Sequence, residues 1–329
     1  MTQVGRLRWR GTFSPAFTLL CGQAFRWKEN GDGRSWVGVA GGAAWLLSLK
    51  GNFLEWSCGA KKVRGKEPGA WLHRYLRLDE SMEGLAEEWG ASCGDLLDRS
   101  FKALRGLRLL RQEPFECTVS YMFAQGLSVS VISQAVEKLC RAFGRPLPPP
   151  HGVRGASFHD FPDPKALAAL DAARLKPFVN NYQARGERIL RVAAAVDSGA
   201  LDLERLSSTP LQEAREALMA LDGVGPKIAD CILLFSMEQS SAFPLDRWVI
   251  RALGLHGSFQ KPLQGFKGAL PLKRYLALAE AAQGRFGPRC GLAGEYLFLY
   301  LRVQEDISLR RRLFPGSADE IPSTKASKR

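Results

Sequence analysis

The stretch LDGVGPKIADC, Leu221–Cys231, decides how the rest of the chain is read. Before it, LQEAREALMAL (211–221) places Leu211, Ala214, Ala217, Leu218 and Leu221 on one side of an amphipathic helix. After it, the apolar run IADCILLFSM (228–237) reads as a buried helix. Two helices joined by Gly223-Val224-Gly225 make a tight hairpin, because glycine tolerates positive φ and brings no side chain to block a close ligand. The second helix then begins with free backbone N–H groups aimed outward, which is an anion site suited to a phosphate. Lys227 sits at its lip. Such a lysine either adds charge or, held where helix meets hairpin, does chemistry.

The surrounding composition suits a polyanion partner. Lys and Arg number 46 against 33 Asp and Glu, for a net charge of +13 over 329 residues. A chain of this length predicts two domains. Seven cysteines, at 21, 58, 93, 117, 140, 231 and 290, show no C-x-x-C spacing. That argues against a disulfide framework, a zinc site or an iron–sulfur cluster, and for a reducing intracellular compartment. No run is long and apolar enough to span a bilayer, and the N-terminus lacks a signal-peptide core, so no membrane partner is expected.

Residues 1–60 alternate short aromatic and branched runs (AFRW, SWVGV, AWLLSL, FLEW) with the turn formers NGDG, AGG and KGN, the pattern of an antiparallel meander. From Pro68 the period becomes helical, with one long amphipathic stretch from Pro114 to Phe143. GRPLPPPHG (144–152) breaks the chain, and helices run on to Gln304. The expected fold class is α+β: an antiparallel α/β domain at 1–100, an all-helical domain with the hairpin at 101–309, and a basic disordered tail at 310–329.

Asp246, in FPLDRWVIRALG, lies nineteen residues after Lys227 and ahead of a helix read as Arg247–Leu253. It is a candidate N-cap, and equally a carboxylate that the loop returns toward Lys227.

Lys227 behind a Gly-Val-Gly hairpin, with Asp246 after a proline-containing loop, resembles the helix-hairpin-helix DNA glycosylase superfamily. GQAFRW (22–27), RLLRQEPFEC (108–117), VEKLCRAFG (136–144) and GVGPKIADC (223–231) resemble the 8-oxoguanine DNA glycosylases in particular, over about residues 10–303 in order. The resemblance implies a TBP-like N-terminal domain before the helix-hairpin-helix glycosylase domain. It implies a bifunctional base-excision repair glycosylase and AP lyase, in which the Lys227 amine attacks C1′ and Asp246 stabilises the cationic sugar. The partner would be double-stranded DNA carrying an oxidised purine, bound by a monomer with no cofactor required. The target base must leave the stack to be reached. The Gly22 carbonyl would accept from N7–H of the oxidised base, and Cys231 and Phe298 would sandwich it. Gly223, Gly225 and the Ile228 N–H would hold phosphate, and the carbonyls of Met219, Leu221 and Val224 a structural cation. In a bacterium the compartment would be the cytoplasm or nucleoid, in a eukaryote the nucleus.

The chain departs from that pattern at several positions. Gly126-Leu127-Ser128 stands where eukaryotic members carry asparagines, one of which fills the gap left by the flipped base. Val131 and Gln183 replace two arginines that read the orphaned cytosine, while the wedge Tyr182 is kept. Leu127 is a candidate replacement wedge. Gly294 replaces the glutamine that reads the base edge, with Glu295 beside it, and Trp248 replaces a phosphate-binding histidine. The expectation is a relaxed opposite-base preference. Two other readings stay open: a glycosylase for another damaged or alkylated purine, and a noncatalytic helix-hairpin-helix DNA-binding protein.

Overall fold

The computed structural model describes residues 2–31, 33–85, 89, 94–123, 126–179, 183–255, 259, 263 and 270–314. The chain divides into two compact units. One comprises Met1–Arg10, Gly22–Glu80 and Leu109–Gln239; the other comprises Gly11–Cys21, Ser81–Arg108 and Ser240–Arg329.

The first unit contains the meander. Strands β1 (Gln3–Leu7), β2 (Trp27–Glu29), β3 (Ser35–Ala40), β4 (Ala43–Lys50) and β5 (Phe53–Cys58) form one antiparallel sheet in the order β1-β5-β4-β3-β2. Gly41 and Gly42, at φ +62° and +76°, close the β3–β4 hairpin, whose two-residue loop needs positive φ at both positions. Glycines also sit opposite tryptophans in the register: Gly5 faces Trp56 and Gly38 faces Trp27. A Cβ at either glycine would lie 2.5 Å from the indole, so the missing side chain lets the ring lie flat across the neighbouring strand. The helix Pro68–Tyr75 covers this layer, started by the Glu67 carboxylate, which accepts from the Gly69 and Ala70 N–H groups. Trp45, Trp71 and Tyr75 stack in series, at 5.7 and 4.9 Å between ring centroids. Each such aromatic pair adds about 0.5–1.5 kcal/mol beyond area burial.

The stretch 114–143 is two helices, Pro114–Phe123 and Val129–Phe143. Gly126 at φ +73° and the extended Ser128 separate them, a conformation that no continuous helix contains. The hairpin helices are Leu211–Met219 and Pro226–Ser236, and Gln183–Asp197 belongs to the same unit.

In the second unit the helix Cys290–Glu305 is buried along most of its length. Tyr296 donates to the Leu107 carbonyl (3.1 Å), and the indole of Trp89 donates to that of Phe286 (3.1 Å). Pro15–Leu20 is a helix capped by Ser14, within a region read as strands. Residues 310–313 are helical rather than disordered, because Asp306 accepts the Leu309 N–H and caps Ile307–Leu313. Residues 315–329 lie outside the described part. Among the described residues no helix is long and apolar enough to cross a membrane.

Candidate active site

The hairpin forms as its glycines require. The Leu221 N–H donates to Leu218 (3.1 Å) and the Val224 N–H to Leu221 (2.9 Å), while Gly223 takes φ +84°. Pro226 opens the second helix, where its missing N–H costs nothing, and a Cβ on Gly225 would meet nothing within 4 Å. The backbone at the helix start is therefore open to a close ligand. Gly223, Val224, Gly225 and Ile228 belong to this one turn, with Val224 and Ile228 buried.

Three ion pairs that no sequence pattern indicated brace the hairpin. Arg188 and Arg191, one turn apart on Gln183–Asp197, pair with Asp222 at 3.1 and 2.7 Å. The Arg188 side chain also packs on Gly223, where a Cβ would lie 2.8 Å from its Cδ. Between the two hairpin helices, Arg215 and Asp230 form an ion pair at 2.7 Å, with side chains 7% and 0% exposed. Gln212 accepts a second guanidinium N–H at 2.7 Å.

Lys227 is half-buried in the first turn of Pro226–Ser236, with Nζ 5.6 Å from the centre of the Tyr121 ring. Cys231, one turn on, is 3% exposed. Tyr121 also stacks on Phe235 (5.7 Å, 15°), and its hydroxyl donates to the Gln23 carbonyl at 3.1 Å. That carbonyl also accepts from Gln112 Nε2 (2.8 Å), while Gln23 Oε1 accepts the Leu110 N–H (2.7 Å). Gly22, just before, has φ +112°, a conformation that glycine adopts readily.

The motif GQAFRW is thus mostly an anchor. Gln23 is tied as described, Phe25 meets Tyr121 edge-on, and the Trp27 indole donates to the Tyr75 hydroxyl (2.9 Å). Buried Arg26 donates to the His159 carbonyl and lies 3.9 Å from Glu116. Burial pushes the Glu116 carboxyl up to about 7, against the opposing pull of Arg26. Only Gly22 and Ala24 of this motif are not buried.

The remaining candidates lie in the second unit. Asp246 is an N-cap: its Oδ1 accepts from the N–H groups of Trp248 and Val249, both at 2.8 Å. The helix it starts runs to Leu255, past Gly254. Tyr275 holds the preceding loop, accepting the Leu245 N–H and donating to the Phe243 carbonyl, both at 3.2 Å. Trp248 is half-buried, with Arg247 over its ring at 5.0 Å. On Cys290–Glu305, Phe298 is half-buried and Arg302 lies over its ring at 5.8 Å. Arg302 also donates to the Cys21 carbonyl (2.8 Å). Burial holds this guanidinium below its ordinary value, and the charge of Asp306 opposes the shift. Glu295 is 6% exposed, and a Cβ at Gly294 would lie 3.0 Å from the Phe243 ring. A side chain at 294 therefore requires Phe243 to give way.

Of the opposite-base positions, Gly126 and Val131 are exposed and Leu127 is half-buried. Tyr182 lies outside the described residues, as does the side chain of Gln183, which begins the helix Gln183–Asp197. Among the described residues no cluster of three His, Cys, Asp or Glu side chains could hold a metal ion.

The family described as 8-oxoguanine DNA glycosylase, N-terminal domain, matches residues 8–118. The chain is 30% identical over 290 residues to the N-glycosylase/DNA lyase OGG1 of Arabidopsis thaliana, covering 86% of this chain and 75% of the relative. A probable N-glycosylase/DNA lyase of Methanothermobacter thermautotrophicus is 28% identical over 224 residues, 63% of this chain and 67% of the relative. Among solved structures, MBOgg1 in complex with a low-affinity DNA ligand superposes with a TM-score of 0.77 at 27% identity, covering 92% of this chain and 98% of its own. With an antiparallel sheet followed by hairpin-bearing helices, and with sequence identity sustained through both, the chain belongs to the 8-oxoguanine DNA glycosylase family.

Proposed function

We propose that this protein is a bifunctional DNA glycosylase and AP lyase that excises 8-oxoguanine from double-stranded DNA, with Lys227 as nucleophile. The observation that carries the reading is the placement of Lys227: a half-buried amine in the first turn after an open glycine hairpin, backed by the Tyr121 ring. A neutral Lys227 amine forms a bond to C1′ as the C1′–N9 bond breaks, its electron pair leaving on the purine, which takes up a proton. The amine gives up its own proton. Opening of the C1′–O4′ bond then gives a protonated Schiff base. Loss of a C2′ proton expels the 3′ phosphate by β-elimination. Asp246 stabilises the positive charge on the sugar, and its capping bonds hold the carboxylate in one orientation.

The backbone of Gly223, Gly225 and Ile228 holds a phosphate at the helix start. The carbonyls of Met219, Leu221 and Val224 are a neutral oxygen set that fits a structural cation, which would neutralise charge at the turn and take no part in the reaction. The Gly22 carbonyl accepts from N7–H of the oxidised base, with Cys231 and Phe298 against its faces. Gly126, Val131 and Gln183 offer no arginine fork to the opposite base, so opposite-base preference is relaxed. The protein acts on the duplex as a monomer.

One observation favours a second reading. Phe243 stands against Gly294 where a base-reading glutamine would project, which suits another damaged or alkylated purine. Borohydride trapping on duplexes carrying 8-oxoguanine, an alkylated purine or an abasic site tests both. A covalent adduct on the 8-oxoguanine duplex supports the proposal. Adducts on the abasic duplex alone would overturn the substrate, and none on any duplex would overturn the lyase.

A further inference from the structure

We propose that Tyr121 is a positioning residue that couples base recognition to the nucleophile: its hydroxyl sets the turn after Gly22, and its ring sets the Lys227 amine. The inference rests on the reading of Lys227 as nucleophile and Gly22 as base contact. It stands on three contacts within one compact unit. The hydroxyl donates to the Gln23 carbonyl at 3.1 Å, and Lys227 Nζ lies 5.6 Å from the ring centre. Phe235, two turns along the helix from Lys227, stacks on the ring at 15° and fixes its plane. Tyr121 is itself 4% exposed, in the buried helix Pro114–Phe123. A ring held this firmly has little freedom to move one contact without the other.

The two contacts serve different steps. Gln23 is bonded directly to the Gly22 carbonyl carbon, and anchoring Gln23 at both its own carbonyl and its side-chain Oε1 limits how far the Gly22 carbonyl can turn. A phenylalanine at 121 would remove the hydroxyl donor to the Gln23 carbonyl and leave the Gln112 amide donating to the same carbonyl at 2.8 Å. Reading the base matters for excision and is irrelevant to an abasic site, which has no base. The ring face, by contrast, holds an amine that both steps use. With the ring centre 5.6 Å from Nζ, the rotamers that would withdraw the amine have less room.

The test uses the full chain with Tyr121→Phe and Tyr121→Leu, each on an 8-oxoguanine duplex and on a preformed abasic duplex. Tyr121→Phe is expected to lower single-turnover excision at least threefold while abasic cleavage and trapping stay within twofold. Tyr121→Leu is expected to lower both, with abasic trapping down at least tenfold. Rescue of abasic trapping by phenylalanine relative to leucine separates positioning from a general packing role. Parallel losses in Tyr121→Phe, or no loss in excision, would overturn the coupling. Full abasic trapping in Tyr121→Leu would overturn the role of the ring. If Tyr121→Leu fails to fold, the two readouts of Tyr121→Phe still decide the hydroxyl's part. Wild-type chain that forms no adduct on either duplex would overturn the parent reading instead, an outcome visible before any variant is made.

Discussion

At the scale of single residues, the roles proposed for Lys227 and Asp246 are separable. Lys227→Gln keeps side-chain length and removes the proposed nucleophile. Strand cleavage and borohydride trapping are expected to vanish while lesion-duplex binding persists, as a gel-shift titration would show. Trapping by the variant would assign the attack to another amine. Asp246 is both a cap and the proposed carboxylate. Asparagine caps about as well as aspartate, so Asp246→Asn removes charge and spares the cap. The variant is expected to release base about a hundredfold more slowly or worse, with a stability change under about 1 kcal/mol. Unchanged single-turnover rates would make Asp246 a cap alone. Both residues were legible in the sequence, Lys227 from the glycines before it and Asp246 from its loop and the helix after it.

At the scale of elements, the hairpin is held by the Arg215–Asp230 pair as much as by its glycines. Both side chains are nearly inaccessible, and Asp230 lies one turn past Lys227 on the same helix. Removing one member of a buried pair strands the other charge, at a cost of about 3–5 kcal/mol. Asp230→Ala is expected to destabilise the protein by that amount in urea unfolding. Arg215→Met with Asp230→Leu should recover most of it, since no charge is left buried. A loss below about 1 kcal/mol in the single variant would mean that water reaches the pair. By contrast, the Asp222 contacts to Arg188 and Arg191 are more exposed, and each is worth about 0–1 kcal/mol. Arg215 and Asp230 carry no sign of this role in the sequence, because an arginine on an amphipathic helix reads as surface.

At the scale of the whole molecule, lesion and opposite base are expected to be selected independently. Leu127 and Tyr182 are proposed to wedge or stack, contacts indifferent to base identity. Excision of 8-oxoguanine opposite each of the four bases is expected to stay within about tenfold, or about 1.4 kcal/mol. Single-turnover assays on four duplexes differing only in that base would check this, and a hundredfold preference for cytosine would sink it.

The sequence by itself determined whatever is set by neighbours along the chain. The meander followed from alternation and turn glycines, the hairpin from Gly223, Gly225 and Pro226, and the α+β class from the change of period at Pro68. Local signals failed where a competing local bond won: Ser14 starts a helix within the stretch read as strands, and Asp306 starts one that runs on into the stretch read as tail. Only the tertiary structure decided what GQAFRW does. Its glutamine, arginine and tryptophan are spent on partners up to 133 residues away, so the motif is mostly an anchor. It alone also placed the Tyr121 ring beneath Lys227 and the hydroxyl on Gln23, 98 residues back. Periodicity records which face of a helix is buried; it carries no record of which distant group a buried hydroxyl or guanidinium will meet, because that pairing forms only when the elements pack.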